Sequence, residues 1–153
     1  MVRIVDVRRH LRKMLRTEHY HTDEIEVSVE SKEWKETKVL DFNKDPFQYN
    51  IVAIKVLADL IVPPEETKGF LGIFIDNEEN PRAIIESDLP FSHIFKAEFY
   101  TWNVPYGRHT LKIKMKSENG YPVTNTFLEI HITRFYNLYE MLGAVTPLVV
   151  FGD

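Results

Sequence analysis

The 153-residue chain contains no cysteine. That absence excludes structural disulfides, thiolate catalysis and zinc sites built on sulfur. Glutamine occurs once, as Gln48, while Lys, Glu and Ile are plentiful. Few thermolabile amides beside many charges is a compositional mark of a thermophilic source. No uninterrupted apolar core of a signal peptide opens the chain, and no stretch reads as a transmembrane anchor. Neither phosphate loops nor dinucleotide fingerprints occur, and there is no G-x-S-x-G nucleophile elbow around Ser28, Ser31, Ser87, Ser92 or Ser117. A net charge of −4 leaves no generally basic surface to neutralise a phosphate backbone. These absences predict a chain with no cofactor, no catalytic residues and no nucleic-acid partner.

What is present is strand alternation. Leu111, Ile113 and Met115 alternate with Lys112, Lys114 and Lys116, placing three apolar side chains on one face and three ammonium groups on the other. Ser-Glu-Asn-Gly at 117–120 makes a turn, and the alternation resumes with Leu128, Ile130 and Ile132. Upstream, Ile25, Val27 and Val29 predict a first strand, and KVLDF a short apolar piece before a turn at Asn43-Lys44-Asp45-Pro46. YNIVAIKVLADLIV predicts a long strand, with Val52, Ile54, Val56, Ala58 and Leu60 inside and Lys55 and Asp59 outside. Pro63-Pro64 ends it, because neither residue donates to a ladder. FLGIFID and RAIIES follow as two more strands. With 44% hydrophobic and 27% charged residues, this is the composition of one ordinary globular domain.

The two ends differ from the middle. Ile4, Val7, Leu11, Met14 and Leu15 fall at helical spacing opposite Arg8, Arg9, Arg12, Lys13 and Arg16, which predicts a basic amphipathic helix over 2–16. Glu18 to Asp23 reads as a polar connector. Phe135, Leu138, Tyr139 and Leu142 repeat at i, i+3, i+4, i+7 before Gly143, and an apolar tail with Leu148, Val149, Val150 and Phe151 follows. The division expected is a basic arm at 1–22, a sandwich at 23–133, and a C-terminal helix and tail at 134–153. Leu11, Met14, Leu15, Phe135, Leu138, Tyr139, Leu148, Val149, Val150 and Phe151 are the residues expected to meet a neighbour, since exposed apolar arms are a liability in a monomer.

Short strands separated by Pro, Gly and Asn turns predict a mainly β, antiparallel β-sandwich. The run FLGIFIDN, then FKAEFYTWNVPYGRHTLKIKM, then NGYPVTNTFLEIHIT resembles the bacterial and archaeal Ig-like repeats of surface proteins and adhesins. The likeness covers residues 50–133 and rests on Ile75-Asp76-Asn77, Trp102, Gly107, His109, Leu111 and Glu118-Asn119-Gly120. It implies an Ig-like sandwich, carrying here short helical or extended arms. It also implies a Trp102 packed against the core at a strand end and a structural His109. A single copy with arms is similar in organisation to Ig-like accessory proteins of virus particles.

Three clusters invite chemistry. His19, His21 and Asp23 share a face if extended, but two imidazoles and one carboxylate lack a third firm ligand and a base, so no metal is assigned. Asp76, Asn77, Glu78, Glu79 and Asn80 offer oxygen ligands for calcium, but without EF-hand spacing an acidic hairpin tip is the better account of them. Tyr100, Trp102 and Tyr106 form a possible aromatic platform for a sugar. The expected function is a non-enzymatic structural or accessory protein, docking with copies of itself or with subunits of a surface assembly such as a virion. The alternative is a monomeric module that binds carbohydrate or calcium.

Overall fold

A computed structural model of the protein describes residues 15–45, 49–64 and 67–136. Ten strands account for its regular structure: β1 (Leu15–Asp23), β2 (Val27–Val29), β3 (Lys35–Lys44), β4 (Tyr49–Ala58), β5 (Gly69–Ile75), β6 (Ala83–Ser87), β7 (Phe95–Tyr100), β8 (Gly107–Ser117), β9 (Val123–Asn125) and β10 (Leu128–Tyr136). Sheet I has the order β1-β10-β4-β7 and sheet II the order β3-β8-β5-β6, with β2 and β9 forming a small separate ribbon. Every pairing is antiparallel.

The predicted alternation supplies the core. From sheet I, Ile54, Val56 and Ala58 meet Leu128, Ile130 and Ile132; from sheet II come Leu71, Ile73, Leu111, Ile113 and Met115, all buried. Closing apolar faces against each other removes their area from water, which is the main force holding two sheets together. Apart from the ribbon, eight strands divide between the sheets as β1, β4, β7, β10 and β3, β5, β6, β8, with the first strand paired to the last. This is the wiring of a double-sheet jelly roll. Immunoglobulin domains divide their strands as ABED and CFG, so the likeness to Ig-like repeats extends to the antiparallel sandwich and not to its connectivity.

Several local expectations are corrected. Glu18 to Asp23, read as a connector, belong to strand β1, and Leu15 and Arg16 open that strand rather than closing a helix. Polar side chains suit β1 because it is the edge strand of sheet I, paired only with β10. At the other end Arg134 and Phe135 remain in β10, in register with Arg16 and Leu15. Of the expected interface residues only Leu15 and Phe135 are described; Leu11, Met14, Leu138, Tyr139, Leu148, Val149, Val150 and Phe151 lie outside the described residues.

The strand expected from Ile25 to Val29 spans only Val27–Val29, and Ile25 before it is exposed. Asn43 and Lys44, expected in a turn, finish β3. In β4 the inner face includes Ile51 in place of Val52, because Thr133 faces Ala53 while Arg134 faces Ile51. One extra residue on β4 shifts its alternation there, as a bulge does.

Asp59, expected outside, is 0% exposed. Its Oδ1 accepts hydrogen bonds from the backbone N–H of Thr126 (2.7 Å) and Phe127 (3.0 Å), and its Oδ2 accepts from the hydroxyls of Ser92 (2.7 Å) and Thr126. Burial alone would raise this carboxyl's pKa; those hydrogen bonds outweigh it and hold the pKa below the usual value. The carboxylate thereby ties the end of β4 to the β9–β10 connection and to the β6–β7 loop.

Candidate functional site

The end of the sandwich opposite Asp59 gathers Asp76, Tyr100, Trp102, Tyr106 and His109, whereas Asp23 lies at the Asp59 end, opposite Leu128. Antiparallel register places the end of β7 beside the first half of β4 (Tyr100 opposite Ala53) and the end of β3 beside the start of β8 (Lys44 opposite Gly107). Asp76, directly after β5, donates its backbone N–H to Thr110 O at the same end. The loop 101–106 joins β7 to β8 and bridges the two sheets there.

That loop carries the candidate surface. In β7 the side chains of Ala97 and Phe99 point into the core, so Tyr100 points out, as alternation requires. Trp102 follows in a turn. It is 73% exposed, Tyr100 and Tyr106 are each 59% exposed, and Trp102 is therefore not packed against the core as the Ig-like pattern implies. The Trp102 and Tyr100 rings stack instead, with centroids 5.7 Å apart and planes 23° from parallel. Tyr106 sits with Lys44 Nζ 5.5 Å from its ring centroid. Two of the three sequence-predicted aromatics thus form one plate, and the third stands on the same loop.

The loop is held by cationic donors. Lys44, nearly buried, donates from Nζ to the carbonyls of Thr101 and Val104 (2.9 Å for the latter). Burial lowers its pKa, and the nearby Arg82 cation lowers it further. Arg82 donates from Nη1 to Asn103 Oδ1 (2.5 Å) while Nε and Nη2 engage Glu78 at 3.0 Å each. Thr101 also donates to Val52 O from its N–H (3.1 Å) and to Ile51 O from its hydroxyl. Sequence reasoning missed Lys44, Arg82 and Asn103, because nothing in their local spacing announces contacts made across the fold.

His109 closes the far side of the loop. Its Nδ1 lies 2.6 Å from Asp76 Oδ2 and its Nε2 lies 2.7 Å from Pro105 O. Asp76 Oδ1 accepts from Thr110 N–H at 2.8 Å. Burial would raise the Asp76 pKa; the hydrogen bonds from His109 and Thr110, and the nearby cations, prevail and lower it. Asp76 has a φ of +53°, a left-handed turn conformation that Asp tolerates better than most residues, and Gly107 has a φ of +123° that a side chain would strain.

Of the residues weighed as calcium ligands, Asp76 is engaged with His109 and Thr110, and Glu78 with Arg82. His19, His21 and Asp23 are separated by the irregularity in β1 between His19 and His21. His21 Nε2 and Lys38 Nζ both bind Asp23, at 2.7 and 2.5 Å, whereas His19 approaches Glu129 and the His131 ring. Among the described residues no group of three or more His, Asp or Glu has the arrangement to hold a metal ion.

No protein-family model and no curated protein matches the sequence. Solved structures similar to it include the endo-1,4-β-D-xylanase 10B of Clostridium thermocellum, with its CBM22-1 and GH10 modules and bound xylohexaose, at 12% identity and a TM-score of 0.37 over 79% of this chain and 26% of that one. Another is a family two carbohydrate esterase from Cellvibrio japonicus, at 16% identity and a TM-score of 0.33 over 81% of this chain and 35% of that one. The chain thus spans about a quarter to a third of the length of these proteins. Among the described residues no helix is long and apolar enough to cross a membrane.

Proposed function

We propose that this chain is a non-enzymatic binding module that recognises carbohydrate through the Tyr100–Trp102 plate. The observation that carries this reading is the stacking of Trp102 on Tyr100 in solvent, 73% and 59% exposed, on a loop fixed from beneath by Lys44 and Arg82. A large apolar side chain left in water is informative when its geometry is held ready for a partner. The C–H face of a pyranose ring offers flat apolar area to such a plate, while its hydroxyls seek polar groups at the rim. Asn103, which follows Trp102 in the loop, and Arg82, hydrogen-bonded to it, supply polar groups for that rim.

The test is retention of the full chain in affinity gels cast with neutral polysaccharides, followed by a glycan array. Retention by one glycan class is expected, and Trp102→Ala should weaken it at least tenfold, about 1.4 kcal/mol. Failure of every glycan to bind the wild-type chain overturns the reading.

A second reading is docking in a homo-oligomer or a surface assembly, a virion among them. It is supported by the register of Leu15 with Phe135, which brings two expected interface residues together on the edge of sheet I at the aromatic end. Light scattering across a concentration series decides it. A stable trimer or larger species supports docking, and a monomer at all concentrations removes it.

A further inference from the structure

We infer that His109 is a protonation-dependent latch on the binding loop, so that ligand capture at the aromatic end weakens as His109 loses its second ring proton. This rests on the carbohydrate reading for its ligand, but the latch itself is a property of the free protein. Both ring nitrogens of His109 face atoms that only accept. Asp76 Oδ2 is 2.6 Å from Nδ1 and Pro105 O is 2.7 Å from Nε2. A neutral imidazole has one N–H, so it donates to one of them and turns a lone pair toward the other; only the imidazolium donates to both.

Which bond is lost follows from the surroundings. Asp76 is fixed by the N–H of Thr110 and is anionic, so it is the stronger acceptor and keeps the remaining proton at Nδ1. Pro105 O is then opposed by a bare Nε2 and moves away. Pro105 precedes Tyr106, whereas Lys44 and Arg82 hold Thr101, Asn103 and Val104. The Tyr106 half of the loop loosens and the Trp102 half stays, so the Tyr100–Trp102 plate is kept and what a ligand loses is the further contact with Tyr106 on the same loop.

The charged groups around the ring are few. On its own strand β8, Arg108 is paired outward with Asp41 of β3, and Lys112 is shared between Asn77 and Glu36. From β3 the Phe42 ring lies against the imidazole, 5.5 Å between centroids, and Lys44 is directed to Tyr106 and the loop carbonyls. From the β5–β6 turn, Asp76 faces His109 directly, and Arg82 is engaged by Glu78 and Asn103. Asp76 is the one carboxylate among these in contact with the ring.

The experiment follows the full chain by NMR across a pH series, reading the His109 ring nitrogens and the Tyr106 and Trp102 resonances. Cellohexaose and maltohexaose, both neutral, serve as binding probes at the two ends of the series. Two protonated nitrogens are expected at low pH. As one proton leaves, Tyr106 should shift with the same midpoint while Trp102 moves little, and His109→Gln should abolish that midpoint. Binding of a probe should weaken roughly fivefold across the transition, the worth of one ordinary hydrogen bond. Tyr106 resonances indifferent to the His109 titration overturn the latch, as does an unchanged midpoint in His109→Gln. If a probe binds equally across the transition, the latch fails while the carbohydrate reading stands. If Tyr106 follows His109 but neither probe binds at any pH and the glycan array shows no binding either, the latch stands and that reading fails.

Discussion

Trp102 and Asp59 occupy opposite ends of the sandwich and opposite environments, and each side chain contradicts its surroundings in the sequence. Trp102 belongs to a segment whose resemblance to Ig-like repeats implies core packing, yet it stands in water. Nothing local distinguishes a tryptophan that folds inward from one stacked on Tyr100, because the choice depends on how Lys44 and Arg82 set the loop. Trp102→Ala should therefore change thermodynamic stability by no more than about 0.5 kcal/mol, as for surface substitutions generally, measured by urea unfolding.

Asp59 sits in a run that is nearly all apolar, where a charge is expected to face out as Lys55 does. The structure buries it because Ser92, Thr126 and Phe127 supply donors from distant parts of the chain. Asp59→Ala should cost about 3 kcal/mol in urea unfolding, since several buried donors lose a charged acceptor at once. The carboxyls of Asp23, Asp59 and Asp76 all have pKa values below their ordinary range. Protons therefore bind the unfolded chain more readily than the folded one. The stability these groups contribute is complete above the ordinary Asp pKa of about 3.9 and is lost as pH falls through the lowered folded values. Acid titration followed by circular dichroism should show unfolding that begins below about pH 4 and shifts in Asp59→Asn.

At the level of strands, alternation was legible wherever a face meets the core. β7, β8 and the first part of β10 carry it openly, with Leu111, Ile113 and Met115 and Leu128, Ile130 and Ile132 buried as expected, whereas β5 is buried on both faces except at Phe70. β1 was not legible, because an edge strand with mostly exposed side chains needs no apolar period. The outward lysines of β8 held a different surprise. Lys114 Nζ lies 4.5 Å from the centroid of Phe74, and Lys116 Nζ lies 4.6 Å from that of Trp34 and 5.4 Å from that of Phe70. Trp34 folds edge-on against Phe74 across Gly72, and a Cβ at Gly72 would lie 2.8 Å from the Phe74 ring and 2.9 Å from the Trp34 ring. Gly72→Ala should displace Trp34, cost about 1–3 kcal/mol by overpacking, and change the indole fluorescence in the native baseline.

At the level of the whole molecule, the sandwich class followed from spacing and turns, while the order of strands did not. Turn residues report where the chain reverses, and alternation reports which face is buried; neither says which strand lies alongside. The jelly-roll order pairs β1 with β10 across more than a hundred residues of sequence. If the docking reading holds, the same pairing puts residue 15 and residue 135 at one corner, and removing residues 144–153 should reduce the mass in solution to that of a monomer by light scattering.

The position of β10 between β1 and β4 also fixes when sheet I comes into existence. Sheet II has all of its strands by Ser117, but sheet I lacks an inner strand until residues 128–136 are available. During synthesis, β1 must wait unpaired and β4, joined to β7, must wait with one edge open while the chain is extended from the N-terminus. A ribosome-bound chain stalled with residue 125 just outside the exit tunnel should be readily cleaved by protease in β1 and β4. One stalled far enough on to release β10 should resist. The birth order of the strands makes the penultimate stretch of the chain the keystone.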